Sequence, residues 1–141
     1  MIEIIKKTNH ISNIGLIGLG RWGINIFKAS QEISGLKLCC LVSKNPEAEK
    51  LITSNCKILS DWRELINIPE LDGVIICTPP KTHFEIAKYL IEANIPILIE
   101  KPLTLNLNEA ITIYKLARYH NNLVMIDFTQ LFNYKFIALK N

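Results

Sequence analysis

The chain has 141 residues, a length that suits one domain with a well-buried core and is too short for two domains of typical size. Hydrophobic residues make up 49% and charged residues 21%, as in ordinary globular proteins, and no apolar run is long enough to cross a bilayer. The formal net charge is only +3, with lysines and arginines scattered along the chain, which argues against nucleic-acid binding.

The N-terminus and the cysteines indicate where the chain works. Residues 1–7 lack the apolar core and the cleavage site of a signal peptide, so we expect a cytoplasmic protein without a membrane partner. Its cysteines form no C-x-x-C pair and show no metal-binding spacing. We therefore expect no metal site and interpret the cysteines as small apolar side chains of a reducing compartment.

Short apolar runs alternate with amphipathic segments along nearly the whole chain. Continuous apolar runs of this length are typical of strands that helices cover on both faces. Six strands are predicted, at residues 14–17, 36–42, 56–59, 73–77, 97–99 and 123–126. Four helix signals lie between them: a helix over residues 22–34 that Gly35 ends, a short helix opened by Asp61 and Glu64, a capping box of Thr82 and Glu85, and a helix from Asn106 and Glu109 to about Tyr119.

This alternation predicts an α/β fold of the Rossmann type. Its sheet is doubly wound and mostly parallel, with about six strands between two layers of helices. We place this domain at residues 1–127 and interpret residues 128–141 as the start of a crossover into a further domain.

The glycine-rich segment after the first strand predicts a dinucleotide-binding loop. It reads Gly18-Leu-Gly20-Arg21-Trp22-Gly23 and opens the first helix. In such a loop the first glycine allows a tight turn, the second lets the pyrophosphate approach the backbone, and the third lets helix and strand pack closely. Arg21 and Trp22 are expected beside the cofactor, although Trp22 would equally suit packing on the loop.

The segment after the second strand bears on the choice of cofactor. Sites for NAD usually place an acidic residue about 20 residues beyond the glycine loop, where it binds the ribose hydroxyls. This chain has Ser43-Lys44-Asn45 there, and the first carboxylate is Glu47. A hydroxyl and an ammonium group suit a 2′-phosphate. The pattern favours NADP(H), with NAD(H) as the alternative and a solvated turn lysine as the plain interpretation of Lys44.

Two further polar segments follow the fourth and fifth strands. They read Thr78-Pro79-Pro80-Lys-Thr-His83 and Glu100-Lys101-Pro102. Ligands of open α/β sheets bind beyond the carboxyl ends of the strands, so both segments are expected at the site. For His83 the sequence leaves two interpretations open, a cofactor contact or simple packing at the start of its helix.

Together these three motifs, in this order and spacing, resemble the N-terminal domain of the glucose-fructose oxidoreductase/inositol dehydrogenase (Gfo/Idh/MocA) family. The resemblance implies an NAD(P)-dependent oxidoreductase that acts on a sugar, a sugar nucleotide or a cyclitol. It implies that the Thr-Pro turn lines the cofactor site and that Lys101 lies near the nicotinamide. Lys101 would then orient the reacting hydroxyl or accept its proton. Glu100, beside it, is expected at the same site.

The resemblance also raises alternatives, because family members carry a second domain that supplies most substrate contacts. The 141 residues alone are expected to be catalytically incomplete. One alternative is therefore a non-catalytic dinucleotide-binding module or a truncated remnant. Another is an amino-acid biosynthetic reductase, against which the Glu100-Lys101-Pro102 motif argues. Exposed apolar residues at 123–137 would favour self-association.

Overall fold

The computed structural model describes residues 11–52 and 56–140. The segment at residues 1–7, in which we expect no signal peptide, lies outside this range, as do both ends of the predicted division at 1–127 and 128–141. The strands are β1 Ser12–Ile17, β2 Leu36–Val42, β3 Lys57–Leu59, β4 Gly73–Ile76, β5 Ile97–Glu100 and β6 Val124–Asp127. The helices are α1 Arg21–Glu32, α2 Ala48–Leu51, α3 His83–Glu92, α4 Leu107–Tyr119 and α5 Tyr134–Lys140, with 3-10 turns at Trp62–Asn67, Pro80–Thr82 and Thr129–Phe132.

All six predicted strands are present in one parallel sheet with the order β3-β2-β1-β4-β5-β6. This is the doubly wound Rossmann order, in which the chain reverses its direction of winding between β1 and β4. The predicted fold class is confirmed. Ligands of such sheets bind at that reversal, outside the carboxyl ends of the strands.

Helices cover both faces of the sheet and enclose two apolar clusters. On one face the strands pack against α3 and α4, where Ile86, Leu90 and Ile113 are fully buried. On the other face Phe27 of α1 and Ala48 of α2 lie over the strands. Burial on both faces explains why the strands are continuously apolar rather than alternating.

Several helix boundaries follow the predicted signals. Asp61 and Glu64 form a complete capping box, and the side chain of Asn106 accepts a hydrogen bond from the Asn108 N–H at the start of α4. The capping box predicted at Thr82 is wrong. Residues 80–82 already turn as a 3-10 helix, so the Thr82 side chain points back to Thr78 and Pro79 instead of capping α3.

The cysteines are all free thiols, and two of them, Cys40 and Cys56, are buried in the clusters as expected. In the part of the chain that the structure describes, none of the helices combines the length and the apolar character that crossing a membrane requires.

Candidate functional site

The glycine loop connects β1 to α1 at the reversal of the sheet. Gly18 adopts a φ of 93°, a left-handed conformation that favours glycine, and its N–H donates to the Val42 carbonyl. A Cβ at Gly18 would meet the backbone oxygen of Cys77 at 2.7 Å. The loop after β1 therefore rests directly on the backbone that follows β4.

The other two loop glycines differ in what surrounds them. A Cβ at Gly23 would collide with the Gly18 carbonyl oxygen, whereas a Cβ at Gly20 would meet nothing within 4 Å. Gly23 thus serves the packing of α1 against the loop. Gly20 is exposed at the N-cap position of α1, so no side chain caps the first N–H groups of this helix. The first turn of α1 also has no acidic residue. This open helix N-terminus suits an anionic group such as a pyrophosphate.

A cleft of about 640 Å³ runs along this edge of the sheet. Eight of the predicted cofactor residues line it: Gly18, Gly20, Arg21, Trp22, Ser43, Lys44, Thr78 and Pro79. A second cleft of about 310 Å³ shares Trp22, Cys77 and Thr78 with the first and adds Pro80, Glu100 and Lys101. The two clefts therefore meet at the turn after β4, and together they bring eleven predicted residues to one edge.

Two predicted residues lie behind the clefts instead of lining them. Gly23 is buried under the loop, and His83 is only 1% exposed. The ring of His83 lies 2.8 Å from the carbonyl oxygen of Thr78 and 2.9 Å from that of Pro102. A direct cofactor contact by His83 stays a prediction, and its observed contacts are to the backbone of the two turns.

The segment after β2 presents Ser43 and Lys44 to the large cleft. The Ser43 hydroxyl accepts a hydrogen bond from the Asn45 N–H, and the Lys44 side chain is exposed. Asn45 in turn donates from its side chain to the Leu19 carbonyl in the glycine loop. A 3.0 Å hydrogen bond from the Glu47 N–H also fixes the Asn45 side chain. The segment is therefore held against the glycine loop.

Glu100 and Asp127 form a carboxylate pair at the ends of β5 and β6, where they are neighbours in register. Glu100 is 8% exposed, its Oε2 accepts from the Lys101 N–H, and its Oε1 is buried without a partner among the described residues. Burial, and secondly the nearby Asp127, raise the pKa of Glu100 above its ordinary value. Burial and the same two carboxylates raise the pKa of Cys77 to about 12, so this thiol is a poor nucleophile.

The geometry of this edge accords with the known proteins to which the chain is similar. The model of an oxidoreductase family with an NAD-binding Rossmann fold, Gfo/Idh/MocA, matches residues 12–128. The chain belongs to this family. Residues 12–128 therefore form the NAD-binding Rossmann fold of this family, as the three sequence motifs indicated.

Individual curated relatives and proteins of solved structure are similar to most of this chain. Inositol 2-dehydrogenase of Mycolicibacterium smegmatis is 26% identical over 132 residues, which are 90% of this chain and 38% of that protein. A solved candidate oxidoreductase of Magnetospirillum magnetotacticum is 42% identical with a TM-score of 0.86, over 92% of this chain and 42% of that one. Scyllo-inositol dehydrogenase of Lactobacillus casei, solved with NAD(H) and scyllo-inositol, shares the fold at 22% identity and a TM-score of 0.84, over 92% of this chain and 39% of that one.

The chain spans a minor part of such relatives. Its matched segments cover 21% to 41% of the length of the curated proteins compared. The matched part corresponds to the NAD-binding Rossmann fold of the family.

Several residues that line the large cleft are not marked by any of the sequence motifs. Trp62 packs partly against the core and also lines this cleft, and the Arg63 guanidinium lies 4.0 Å over its ring. Ser60 and Asn45 also belong to the lining. The sequence gives one indication of these two residues. Asn45 follows β2 and Ser60 follows β3, and both strands end at this edge of the sheet.

The different surroundings of Gly20 and Gly23 predict that the same substitution to alanine changes the stability of the fold at one position and not at the other. We expect Gly20→Ala to leave the thermal unfolding temperature nearly unchanged, because the Cβ has room, while crowding a dinucleotide on the loop. We expect Gly23→Ala to destabilise the fold by about 1–3 kcal/mol or more, because its Cβ meets backbone. Thermal unfolding and NADH titration of both variants check this. Equal melting temperatures for the two variants would contradict the packing described.

Proposed function

We propose that the two clefts bind NADP(H) in preference to NAD(H) and serve hydride transfer to or from a hydroxyl of a sugar, a sugar nucleotide or a cyclitol. The observation that carries the proposal is the continuity of the clefts, which puts the glycine loop and Lys101 on one surface. Substrates named for the relatives, such as inositol, support this class of alcohol.

The residues present fit the cofactor. The open space above Gly20 and the uncapped start of α1 suit the pyrophosphate, and the Thr78–Pro79 turn faces the same cleft. Trp22 borders both clefts and would cover the bound molecule at their junction. When bound, the nicotinamide donates or accepts the hydride, and the protein supplies the orientation.

Lys101 is the group that we assign to the reacting hydroxyl. It is exposed at the end of β5, beside the buried Glu100, and borders the small cleft. As an ammonium group it would orient the hydroxyl by donating a hydrogen bond; as a neutral amine it would instead accept the hydroxyl proton as the alcohol is oxidised. Glu100 supports this position through the hydrogen bond from the Lys101 N–H to its carboxylate.

The alternative function is a dinucleotide-binding module without catalysis. It is favoured by one observation, that the large cleft is lined by the glycine loop and the Ser43–Lys44 segment, whereas Lys101 borders the small cleft alone. Cofactor binding without turnover, even when a substrate domain is supplied, would support this alternative over the oxidoreductase.

The preference for NADP(H) is tested by fluorescence titration of the purified chain with NADPH and NADH. We expect tighter binding of NADPH, and we expect Lys44→Ala to weaken NADPH binding about tenfold while changing NADH binding little, because only NADPH carries the 2′-phosphate. Lys50→Ala is the matched control, since Lys50 is paired with Glu47 on α2 and does not line the cleft. Tighter binding of NADH by the unaltered chain would overturn the preference.

The role of Lys101 is tested in an enzyme assembled from this domain and the substrate domain of a relative. We expect Lys101→Ala to lower kcat about 10²- to 10⁴-fold, the range for a lost acid-base group. Lys81→Ala, in the turn before α3 and outside both clefts, is expected to retain activity. Full activity of Lys101→Ala would show that the assignment is wrong.

We further propose that residues 128–141 begin the crossover to a substrate domain and that the apolar surface at 123–137 is a contact surface. Its side chains are exposed as the sequence predicted, with Phe128 at 50%, Leu131 at 52%, Phe132 at 67% and Phe136 at 44%. Exposed apolar side chains of this kind promote association of the isolated chain.

Sedimentation at rising concentration checks the contact surface. We expect the chain to self-associate and the double variant Leu131→Ser, Phe132→Ser to dissociate, because the variant removes apolar area from the patch. Tyr119→Ser removes an 85% exposed aromatic at the end of α4 and should leave association unchanged. A chain that stays monomeric at high concentration would contradict the proposal.

A further inference from the structure

His83 connects two turns that are far apart in sequence. It is the first residue of α3, and its ring is 1% exposed between the turn after β4 and the turn after β5. Nε2 lies 2.8 Å from the Thr78 carbonyl oxygen, and Nδ1 lies 2.9 Å from the Pro102 carbonyl oxygen. One small ring therefore spans the two segments that border the small cleft.

The carbonyl groups of Thr78 and Pro102 both lie within hydrogen-bond distance of the ring. The turn and loop hydrogen bonds of the described residues include no backbone donor to either carbonyl. A carbonyl oxygen only accepts, so the His83 ring must donate to whichever carbonyl it pairs with. A neutral imidazole has one N–H and serves one carbonyl at a time, while an imidazolium serves both.

The two turns carry different parts of the proposed site. The Thr78 turn packs on Gly18 and faces the cofactor cleft, while Pro102 directly follows Lys101. We infer that His83 is a positioning residue that sets where Lys101 stands relative to the cofactor turn. This inference rests on the proposed function for the identity of the cofactor and for the role of Lys101.

Two substitutions separate the two links. The amide of asparagine reaches about as far as Nδ1, so His83→Asn retains a donor to Pro102 and loses the link to Thr78. The longer glutamine reaches about as far as Nε2, so His83→Gln retains the link to Thr78 and loses the one to Pro102. A residue that only filled space would respond to both substitutions alike.

The readouts are the dissociation constant for NADPH and the protection of Lys101 from acylation by an N-hydroxysuccinimide ester. Peptide mapping by mass spectrometry measures the protection, with the exposed Lys115 on α4 as the internal reference. We expect His83→Asn to raise the dissociation constant about five- to tenfold and to retain protection at saturating NADPH. We expect His83→Gln to bind within about twofold of the unaltered chain and to lose most of the protection.

Equal behaviour of the two variants would overturn the inference, whether both match the unaltered chain or both lose binding and protection. The unaltered chain gives a check that needs no substitution. A ring N–H that is buried and bonded to a carbonyl exchanges slowly and gives a ¹H–¹⁵N cross-peak, and absence of this peak for His83 would overturn the link even if neither variant folds. Absence of NADPH binding or of Lys101 protection in the unaltered chain would instead refute the proposed function, which the ring signal does not test.

Discussion

The backbone of the glycine loop lies against the backbone that leaves β4, and the rest of the site depends on this contact. Gly18 occupies a left-handed conformation, and the Cys77 carbonyl oxygen lies only 2.7 Å from the position of a Cβ on Gly18. A side chain there would push the loop from the sheet, so the contact requires glycine. Gly23 then brings α1 down onto Gly18. The start of a helix is thereby fixed at the point where the sheet reverses.

The fixed start of α1 determines how the neighbouring segments line the two clefts. With α1 anchored, its uncapped N-terminus opens into the large cleft, and the Ser43–Asn45 segment is tied to the same loop through Asn45 and Leu19. The turn after β4 forms one wall of both clefts and so relates the cofactor surface to Lys101. Hydride transfer depends on such relative placement, because orientation supplies much of the rate.

Local patterns in the sequence predict most of the fold. Continuous apolar runs indicated all six strands, and the spacing of the glycines after the first strand identified the loop. The capping box at Thr82 failed because the preceding Pro80 starts a 3-10 turn that places Thr82 inside the helical segment. Local spacing alone does not distinguish a cap from the end of such a turn.

Contacts between distant segments account for what the sequence left open. The double contact of His83 depends on a carbonyl 19 residues away, and the place of Trp62 depends on how the turn after β3 lies beside α3. The pairing of Glu100 with Asp127 likewise follows from strand register, which no motif encodes. For these residues the position at the carboxyl edge was predictable from the sequence, and the partners of their side chains were not.

A dinucleotide bound at the carboxyl edge of the β1–β4 reversal would lie against the backbone of the glycine loop and of the turn after β4. Titration of the ¹⁵N-labelled chain with NADH, followed by NMR, measures this contact. We expect saturable shifts of the amide signals of Gly18, Gly20, Trp22 and Thr78, with the signals of α4 left in place. Shifts confined to residues 123–137, or no shifts in a folded chain, would contradict this contact.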